Sequence, residues 1–205
     1  MNLETSVKNY FELKNSIDQK IEIAIVTKGI EKDFLMDFIT RTGHKFYAEN
    51  YTKELKKWEE IRIKFNDIKL SFIGSFQSGN IKNIVKACDR IESFSSIKSL
   101  EKVKHEALKK GKELEYYMQV NIGGEAQKNG FLVSDISPEF GKVFSGIMCI
   151  PPAYNPHMHF IKVKEIAENL GISKISMGMS GDYKKAIENG ATEIRIGSLI
   201  FNPKK

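Results

Sequence analysis

The sequence has few cysteines, no long apolar run and no internal repeat, and each absence excludes a class of protein. The two cysteines among 205 residues, Cys88 and Cys149, are too few for a disulfide framework, and their spacing matches no zinc pattern. The N-terminal segment is amphipathic, which argues against a signal peptide, and no apolar run reaches the length of a membrane span. We therefore expect a cytoplasmic protein with two reduced, partly buried thiols.

The net charge is moderately positive, and the charged residues are evenly spread along the chain. Lysine and arginine total 32 against 26 acidic residues, which gives a formal charge of +6. Such an excess favours anionic ligands, but acids and bases alternate in stretches such as "TKELKKWEEIRIK", a pattern typical of a solvated surface. No basic patch with interleaved aromatic residues supports nucleic-acid binding. His157 and His159 would point to different sides of a helix, so we expect no metal site, no nucleic-acid partner and no membrane partner.

Short apolar runs alternate with helical patterns from end to end. The runs lie near residues 21–27, 45–48, 69–73, 90–94, 115–121, 144–150, 173–177 and 193–197. Eight strands separated by helices predict parallel βαβ units, and closure into a (β/α)8 TIM barrel leaves no open edge. A doubly wound open sheet is the alternative. Glycines predict helix ends at Gly43, Gly111, Gly171 and Gly190, and Asn155 with Pro156 predicts a helix start.

The domain organisation follows from the same pattern. Because no linker or low-complexity tract interrupts the chain, residues 1–205 are predicted to form one α/β domain with no second domain. Only "LIFNPKK" follows the last strand, which leaves no eighth outer helix. We expect the helix before the first strand to cover that gap. The link between the fifth and sixth strands is the least helical one.

Small polar residues collect where the last two strands end. In a barrel, chemistry gathers at the carboxyl ends of the strands, and phosphate often binds beside the final two. Ser180 follows the seventh strand, and Gly197 and Ser198 follow the eighth. Together these residues could hold a phosphate through backbone amides and hydroxyls. The alternative is that Ser180 only caps its helix and Gly197 only permits a tight turn.

Two cations occupy unusual places. Arg195 lies within the strand "EIRIG" and is predicted to point into the barrel, where a guanidinium needs an acceptor such as Glu49, Glu193 or a ligand atom. Lys28 follows the first strand, "IEIAIV". A strand-end lysine opposite a phosphate site is the arrangement that a pyridoxal phosphate Schiff base requires. The alternative is a surface lysine that closes the strand.

The motifs at these strand ends resemble one known family. "AIVTKG", "AENYTKE", "FIGSFQ", "QVNIGGEAQKNGF" and "ISMGMSGDYKKAIENGATEIRIGSLIF" occur in an order that resembles the pyridoxal phosphate homeostasis proteins. These proteins are similar to the N-terminal barrel of alanine racemase, of fold-type III. The resemblance implies that Lys28 carries pyridoxal 5'-phosphate (PLP) and that Arg195 faces its pyridine nitrogen. It further implies phosphate contacts from Ser180, Gly197 and Ser198, and cofactor contacts from Asn50 and Met177.

The resemblance also implies a function. The expected protein carries PLP as a Schiff base on Lys28, takes part in PLP (vitamin B6) and amino-acid homeostasis, is a monomer, is not an enzyme, and has PLP-dependent apo-enzymes as candidate recipients. The alternative is a PLP-dependent amino-acid racemase, which needs a second base on the opposite face of the substrate. In alanine racemases that base is a tyrosine and an additional C-terminal domain contributes it. No room for that domain is expected after Gly197.

Three departures from the family pattern lie near the predicted site. Ser71 replaces a histidine that is usual in the third strand, and "QSGN" places Gly79 and Asn80 where asparagine and lysine are usual. The lysine motif is "TKG" in place of the usual "SKT". These changes lead us to expect weaker retention of the cofactor than in other members.

Overall fold

Parallel strands close into a barrel in the computed structural model, which describes residues 1–75, 78–152 and 154–202. The strands are β1 (Glu22–Val26), β2 (Phe46–Glu49), β3 (Lys69–Phe72), β4 (Arg90–Phe94), β5 (Glu115–Asn121), β6 (Phe131–Leu132), β7 (Gly146–Cys149), β8 (Lys174–Ser176) and β9 (Glu193–Ile196). β1 pairs with β2 and β9, and β4 pairs with β5, so eight strands form a closed ring. The short β6 joins β5 beyond the end of β4. The predicted (β/α)8 barrel is confirmed, and the open-sheet alternative is wrong.

The helices alternate with the strands, as predicted. They are α1 (Leu3–Ser16), α2 (Lys32–Thr42), α3 (Leu55–Lys64), α4 (Ile81–Ala87), α5 (Ile97–Lys109), α6 (Phe140–Val143), α7 (Pro156–Asn169), α8 (Tyr183–Glu188) and α9 (Ser198–Phe201). Gly43 caps α2 with a φ of 64°, the left-handed backbone that favours glycine. Asn155 is the N-cap of α7 and Pro156 its first residue, so the predicted helix start is confirmed, although Asn155 has a φ of 47° and its side chain makes no capping hydrogen bond.

The N-terminal helix completes the outer layer. α1 packs against both α2 and the single turn of α9, which is all the helix that follows the last strand within the described residues. The side-chain amide of Asn9 donates to the carbonyl of Ile200 at 3.1 Å, and the ring of Tyr10 meets that of Phe38 edge-on. The expectation that this helix covers the place of an eighth outer helix is therefore confirmed.

The main apolar core lies between the strands and the helices, because strand residues alternate between the two faces of the sheet. Inside the barrel, a small apolar layer of Ala24, Phe46 and Ala48 lies below the mouth. The interior also contains buried polar side chains, those of Ser71, Arg90, Glu92, Ser176, Glu193 and Arg195. Cys88 and Cys149 are free and fully buried.

Arg90 is the charged centre at the amino end of the barrel. Its guanidinium lies 4.7 Å from the ring centres of both Phe46 and Tyr117. It forms ion pairs with Glu193 and, at 2.9 Å, with Glu115. A buried guanidinium is tolerated only with such compensation.

Ser176 connects this centre to Arg195. The hydroxyl oxygen of Ser176 lies 2.7 Å from a carboxyl oxygen of Glu92 and 2.7 Å from one of Glu193, and it accepts from Nη1 of Arg195 at 2.7 Å. A hydroxyl has only one proton, so one of the two carboxyl groups must donate. Burial, together with the neighbouring Glu92, raises the pKa of Glu193 well above its usual value.

His44 makes the stability of the fold depend on pH. Its Nε2 donates to the carbonyls of Ile23 and Phe46, and its Nδ1 accepts from the hydroxyl of Tyr10 at 3.1 Å. Burial lowers the pKa of His44 to about 4. Because the folded pKa lies below the unfolded value of about 6.5, the stabilisation is complete above that value and is lost as the pH falls towards 4.

We expect the free energy of unfolding to fall by on the order of 2 kcal/mol between pH 7 and pH 4 through this group. His44→Gln will lack that part of the pH dependence, whereas His105→Gln, at an exposed position, will retain it. Urea unfolding at several pH values measures the difference. Parallel profiles for the His44 variant and the unsubstituted protein would contradict this prediction.

No helix within residues 1–75, 78–152 and 154–202 has the length and hydropathy of a membrane span.

Candidate cofactor site at the barrel mouth

A cavity of about 310 Å³ opens at the carboxyl ends of the strands. We call it the mouth cavity, and it is lined by Val26, Asn50, Ile73, Ile150, Met179, Ser180, Gly181, Arg195, Gly197 and Ser198. Its volume is at the lower end of the range for small-molecule sites. Five of the seven residues predicted to bind a cofactor are brought together here: Asn50, Ser180, Arg195, Gly197 and Ser198.

Arg195 lies in the wall of the mouth cavity and is 3% exposed. It donates to the carbonyl oxygens of Ser176 and Cys149, both at 2.7 Å, in addition to the Ser176 hydroxyl. Within the described part of the chain no carboxylate forms an ion pair with it, because Glu193 pairs with Arg90 and Glu49 pairs with Lys57. Both acidic partners considered for Arg195 are therefore wrong, and its charge remains available to a ligand.

Ser180 connects the segments that follow β8 and β9. Its hydroxyl oxygen accepts from the backbone N–H of Leu199 at 3.1 Å. Ser180 therefore does not cap α8, whose cap position is taken by Asp182. Since the oxygen acts as an acceptor, the hydroxyl proton of Ser180 is free to be donated. This proton, the hydroxyl of Ser198 and the N–H of Ser198 at the start of α9 supply donors on one side of the mouth cavity.

Asn50 supplies an unpaired acceptor on the side facing β3. Its side-chain oxygen is buried and has no hydrogen-bond partner among the described residues. A buried amide oxygen without a donor is costly, and such an atom in a cavity wall indicates a ligand or water contact. The backbone of Gly74 approaches closely, since a Cβ there would stand 1.7 Å from the carbonyl oxygen of Asn50.

Lys28 lies at the rim. It follows β1 in a turn closed by the N–H of Ile30 and the carbonyl of Thr27 at 3.1 Å, and Gly29 provides the required positive φ of 69°. Lys28 lies two residues after Val26, which lines the mouth cavity. Its side chain is exposed, and Nζ lies 5.2 Å from the centre of the Tyr51 ring. Lys28 itself does not line the mouth cavity.

Tyr51 lines an adjoining cavity of about 380 Å³. The two cavities share Asn50, Ile73 and Ile150. The Tyr51 ring, which the Lys28 amine contacts, therefore lies at the border of a continuous concave surface.

Met177 does not fit its predicted role. Its side chain is fully buried in the core between strands and helices, because it points to the face of the sheet opposite Ser176. Met179, two residues later and 39% exposed, lines the mouth cavity in its place. The motif "SMGMSGD" did not indicate where the strand ends and the loop begins.

Two of the three departures from the family pattern do not line the mouth cavity, whereas "TKG" forms the Lys28 turn at its rim. Ser71 is fully buried inside the barrel and donates to Glu92 at 2.6 Å. Gly79 and Asn80 form part of a 3-10 turn that precedes α4. Gln77, in the same variant motif, lies outside the described residues.

Sequence reasoning missed the apolar walls and the support behind Lys28. Ile73 and Ile150 directly follow β3 and β7, and their inward direction follows from strand register alone. No sequence pattern indicated a role for Lys57 on α3, because its contacts with the Lys28 turn depend on the packing of a helix against a distant loop.

The comparisons with known proteins agree on a family and a fold. No protein-family profile matches the chain. The pyridoxal phosphate homeostasis protein of Aquifex aeolicus is 30% identical over 197 residues, which cover 87% of this chain and 85% of that protein. The structure of PipY from Synechococcus elongatus with PLP bound has a TM-score of 0.81 at 20% identity and covers 96% of this chain and 100% of PipY.

An alanine racemase of Clostridium difficile shares the barrel. The TM-score is 0.78 at 14% identity, and the match covers 98% of this chain but 57% of the racemase. At this identity the similarity shows the fold alone.

Proposed function

Because this chain belongs to the pyridoxal phosphate homeostasis protein family, we propose that it binds PLP in the mouth cavity and carries it as a Schiff base on Lys28. It would thereby take part in intracellular PLP (vitamin B6) and amino-acid homeostasis. The observation that carries the proposal is Arg195, a buried guanidinium in the cavity wall without a carboxylate partner among the described residues.

The residues present fit the chemical groups of PLP. The phosphate requires several N–H and O–H donors, which Ser180, Ser198 and the start of α9 supply. The pyridine nitrogen requires a polar partner, and Arg195 is a donor that cannot lose its proton. The flat ring requires apolar walls, which Ile73 and Ile150 provide, and Asn50 offers an acceptor to a ring substituent.

Lys28 is proposed as the covalent partner. When bound, PLP supplies an aldehyde that condenses with a lysine amine, with loss of water, to form a Schiff base. Lys28 presents its amine at the rim, 5.2 Å from the centre of the Tyr51 ring. The flexible four-carbon stem gives the amine the reach that this role requires.

Arg195 suits carriage of the cofactor, or racemisation, better than chemistry that needs a strong electron sink. A guanidinium opposite the ring nitrogen disfavours protonation of that nitrogen, because two cations repel. The bound ring is then a weaker electron sink than one that faces a carboxylate. The curated relatives are named for homeostasis, which favours a carrier over the racemase alternative. We further propose a cytoplasmic monomer that delivers PLP to apo-enzymes.

The direct test is to mix the purified protein with PLP, remove the free cofactor by desalting, and record the visible spectrum. We expect a yellow band that survives desalting. After borohydride reduction, peptide mapping should place the added mass on Lys28. No retained band, or an adduct on surface lysines only, would contradict the proposal.

A further inference from the structure

A buried ion pair lies directly behind the turn that carries Lys28. The carboxyl group of Glu49, at the end of β2, is 0% exposed, and its Oε1 lies 2.8 Å from Nζ of Lys57 on α3. The same oxygen accepts from the hydroxyl of Thr27 at 2.6 Å and from Nε1 of Trp58 at 3.1 Å. Burying such a pair is costly unless further hydrogen bonds compensate.

The Nζ of Lys57 also forms hydrogen bonds with the turn that carries Lys28. Nζ donates to the carbonyl oxygen of Thr27 at 3.0 Å and to that of Ile30 at 3.0 Å, and it also contacts Glu54 at 2.9 Å. Thr27 and Ile30 are the first and last residues of the four-residue turn, and Lys28 is the second. One ammonium group therefore fixes both ends of this turn.

We propose that Lys57 and Glu49 are positioning residues that hold the Lys28 turn in the conformation that directs the Lys28 amine towards the mouth cavity. The inference rests on the proposed role of Lys28. The Lys28 side chain itself has a cation–ring contact with Tyr51 and is exposed, so its direction depends on the backbone beneath it. The two central residues of the turn, Lys28 and Gly29, are exposed and contribute little packing, so the order of the turn depends on its buried ends, which Lys57 contacts.

The geometry also explains why a lysine suits position 57. Two carbonyl oxygens and the carboxylates of Glu49 and Glu54 surround Nζ, and an ammonium group has three N–H donors, which four such acceptors share. The planar guanidinium of arginine directs its donors within one plane. Lys57→Arg therefore keeps the charge that Glu49 needs and is expected to rescue the turn only in part.

The test compares four variants. Lys57→Met removes the ammonium group, and Glu49→Gln with Lys57→Met removes both charges, which avoids leaving a buried carboxylate alone. Lys57→Arg is the conservative variant. Lys56→Met is the matched control, because Lys56 is the exposed neighbour of Lys57 on α3. Urea unfolding of the cofactor-free proteins identifies the variants that remain folded.

The first measurement needs no cofactor. Hydrogen exchange of the Ile30 amide, which is bonded to the Thr27 carbonyl, reports how often the turn opens. We expect exchange to be about tenfold faster or more in the double variant, and unchanged in Lys56→Met. An unchanged rate in a folded double variant would overturn the inference, whatever the protein does with PLP.

The second measurement uses the loaded protein. We expect the visible band of the double variant to fade about tenfold faster in excess semicarbazide, and a smaller share of the borohydride-fixed adduct to lie on Lys28. Lys57→Arg should be intermediate. Faster exchange at Ile30 without these changes would overturn the positioning role. If the unsubstituted protein forms no adduct on Lys28, the proposed function fails, and the Ile30 exchange then tests the effect on the turn alone.

Discussion

The variant Lys28→Ala will lose covalently bound PLP while it keeps its fold. We expect no visible Schiff-base band after desalting, no borohydride-fixed adduct, and a drop of about 100-fold or more in retained cofactor. The reason is that the mouth cavity can hold the phosphate and the ring without Lys28, but no lysine among the described residues lines it, so the covalent bond depends on the amine at its rim. Lys28 is exposed at the rim, so its replacement by alanine removes no buried contact. The free energy of unfolding of the variant should therefore differ from that of the unsubstituted protein by less than about 0.5 kcal/mol.

The matched control for this experiment is Lys53→Ala. The amine of Lys53 lies 5.8 Å from the centre of the same Tyr51 ring that Lys28 contacts at 5.2 Å. Both variants therefore remove an exposed ammonium group beside one aromatic ring. We expect Lys53→Ala to bind and fix PLP as the unsubstituted protein does. Equal losses in both variants would indicate a general effect of charge and would contradict the assignment of Lys28.

The variant Arg90→Met should be the most damaging single change to stability. Arg90 neutralises Glu193 and Glu115 and lies between two aromatic rings in the barrel interior. Removing one partner of a buried ion pair leaves an uncompensated charge and costs about 3–5 kcal/mol. The loss should be smaller at low pH, because carboxyl groups that have lost Arg90 can then be protonated at less cost. Urea unfolding at pH 5 and pH 8 measures both effects.

Arg41→Met provides the comparison. Arg41 forms an ion pair with Glu4 on the surface, where both side chains are largely exposed, so its removal should cost less than about 1 kcal/mol. Adding Glu193→Gln to Arg90→Met should restore part of the lost stability, since the amide needs no counter-charge. If Arg90→Met and Arg41→Met are equally stable, the buried ion pairs of Arg90 contribute nothing to the free energy of unfolding, which would contradict the prediction.

The barrel could be predicted because its strands differ clearly from its helices in sequence. The eight predicted runs all became strands, since each carries enough apolar or β-branched residues to be buried on at least one face. β6 was not predicted, because two residues give no period. The left-handed backbone at Asn155 was also missed, since the dipeptide Asn155–Pro156 fits a side-chain cap equally well.

The site was predictable where position in the chain determines position in space. Ser180, Gly197 and Ser198 follow adjacent strands, so their proximity is a property of the barrel. Which cation pairs with which buried carboxylate was not predictable from the sequence. Glu49 and Glu193 were both plausible acceptors for Arg195, but each is taken by a closer cation, Lys57 or Arg90. Such pairings depend on side-chain geometry across distant segments, which no local pattern records.

The chain of hydrogen bonds through Ser176 has a thermodynamic consequence. Arg195 at the mouth and the carboxyl pair of Glu92 and Glu193 share one hydroxyl group, so neither end can change its hydrogen bonding without affecting the other. A ligand that draws the guanidinium towards itself changes the proton affinity of that pair. By reciprocity, a proton gained or lost there changes the affinity for the ligand by the same factor. A cofactor that draws Arg195 towards itself would thus couple its own binding to proton uptake in the barrel interior.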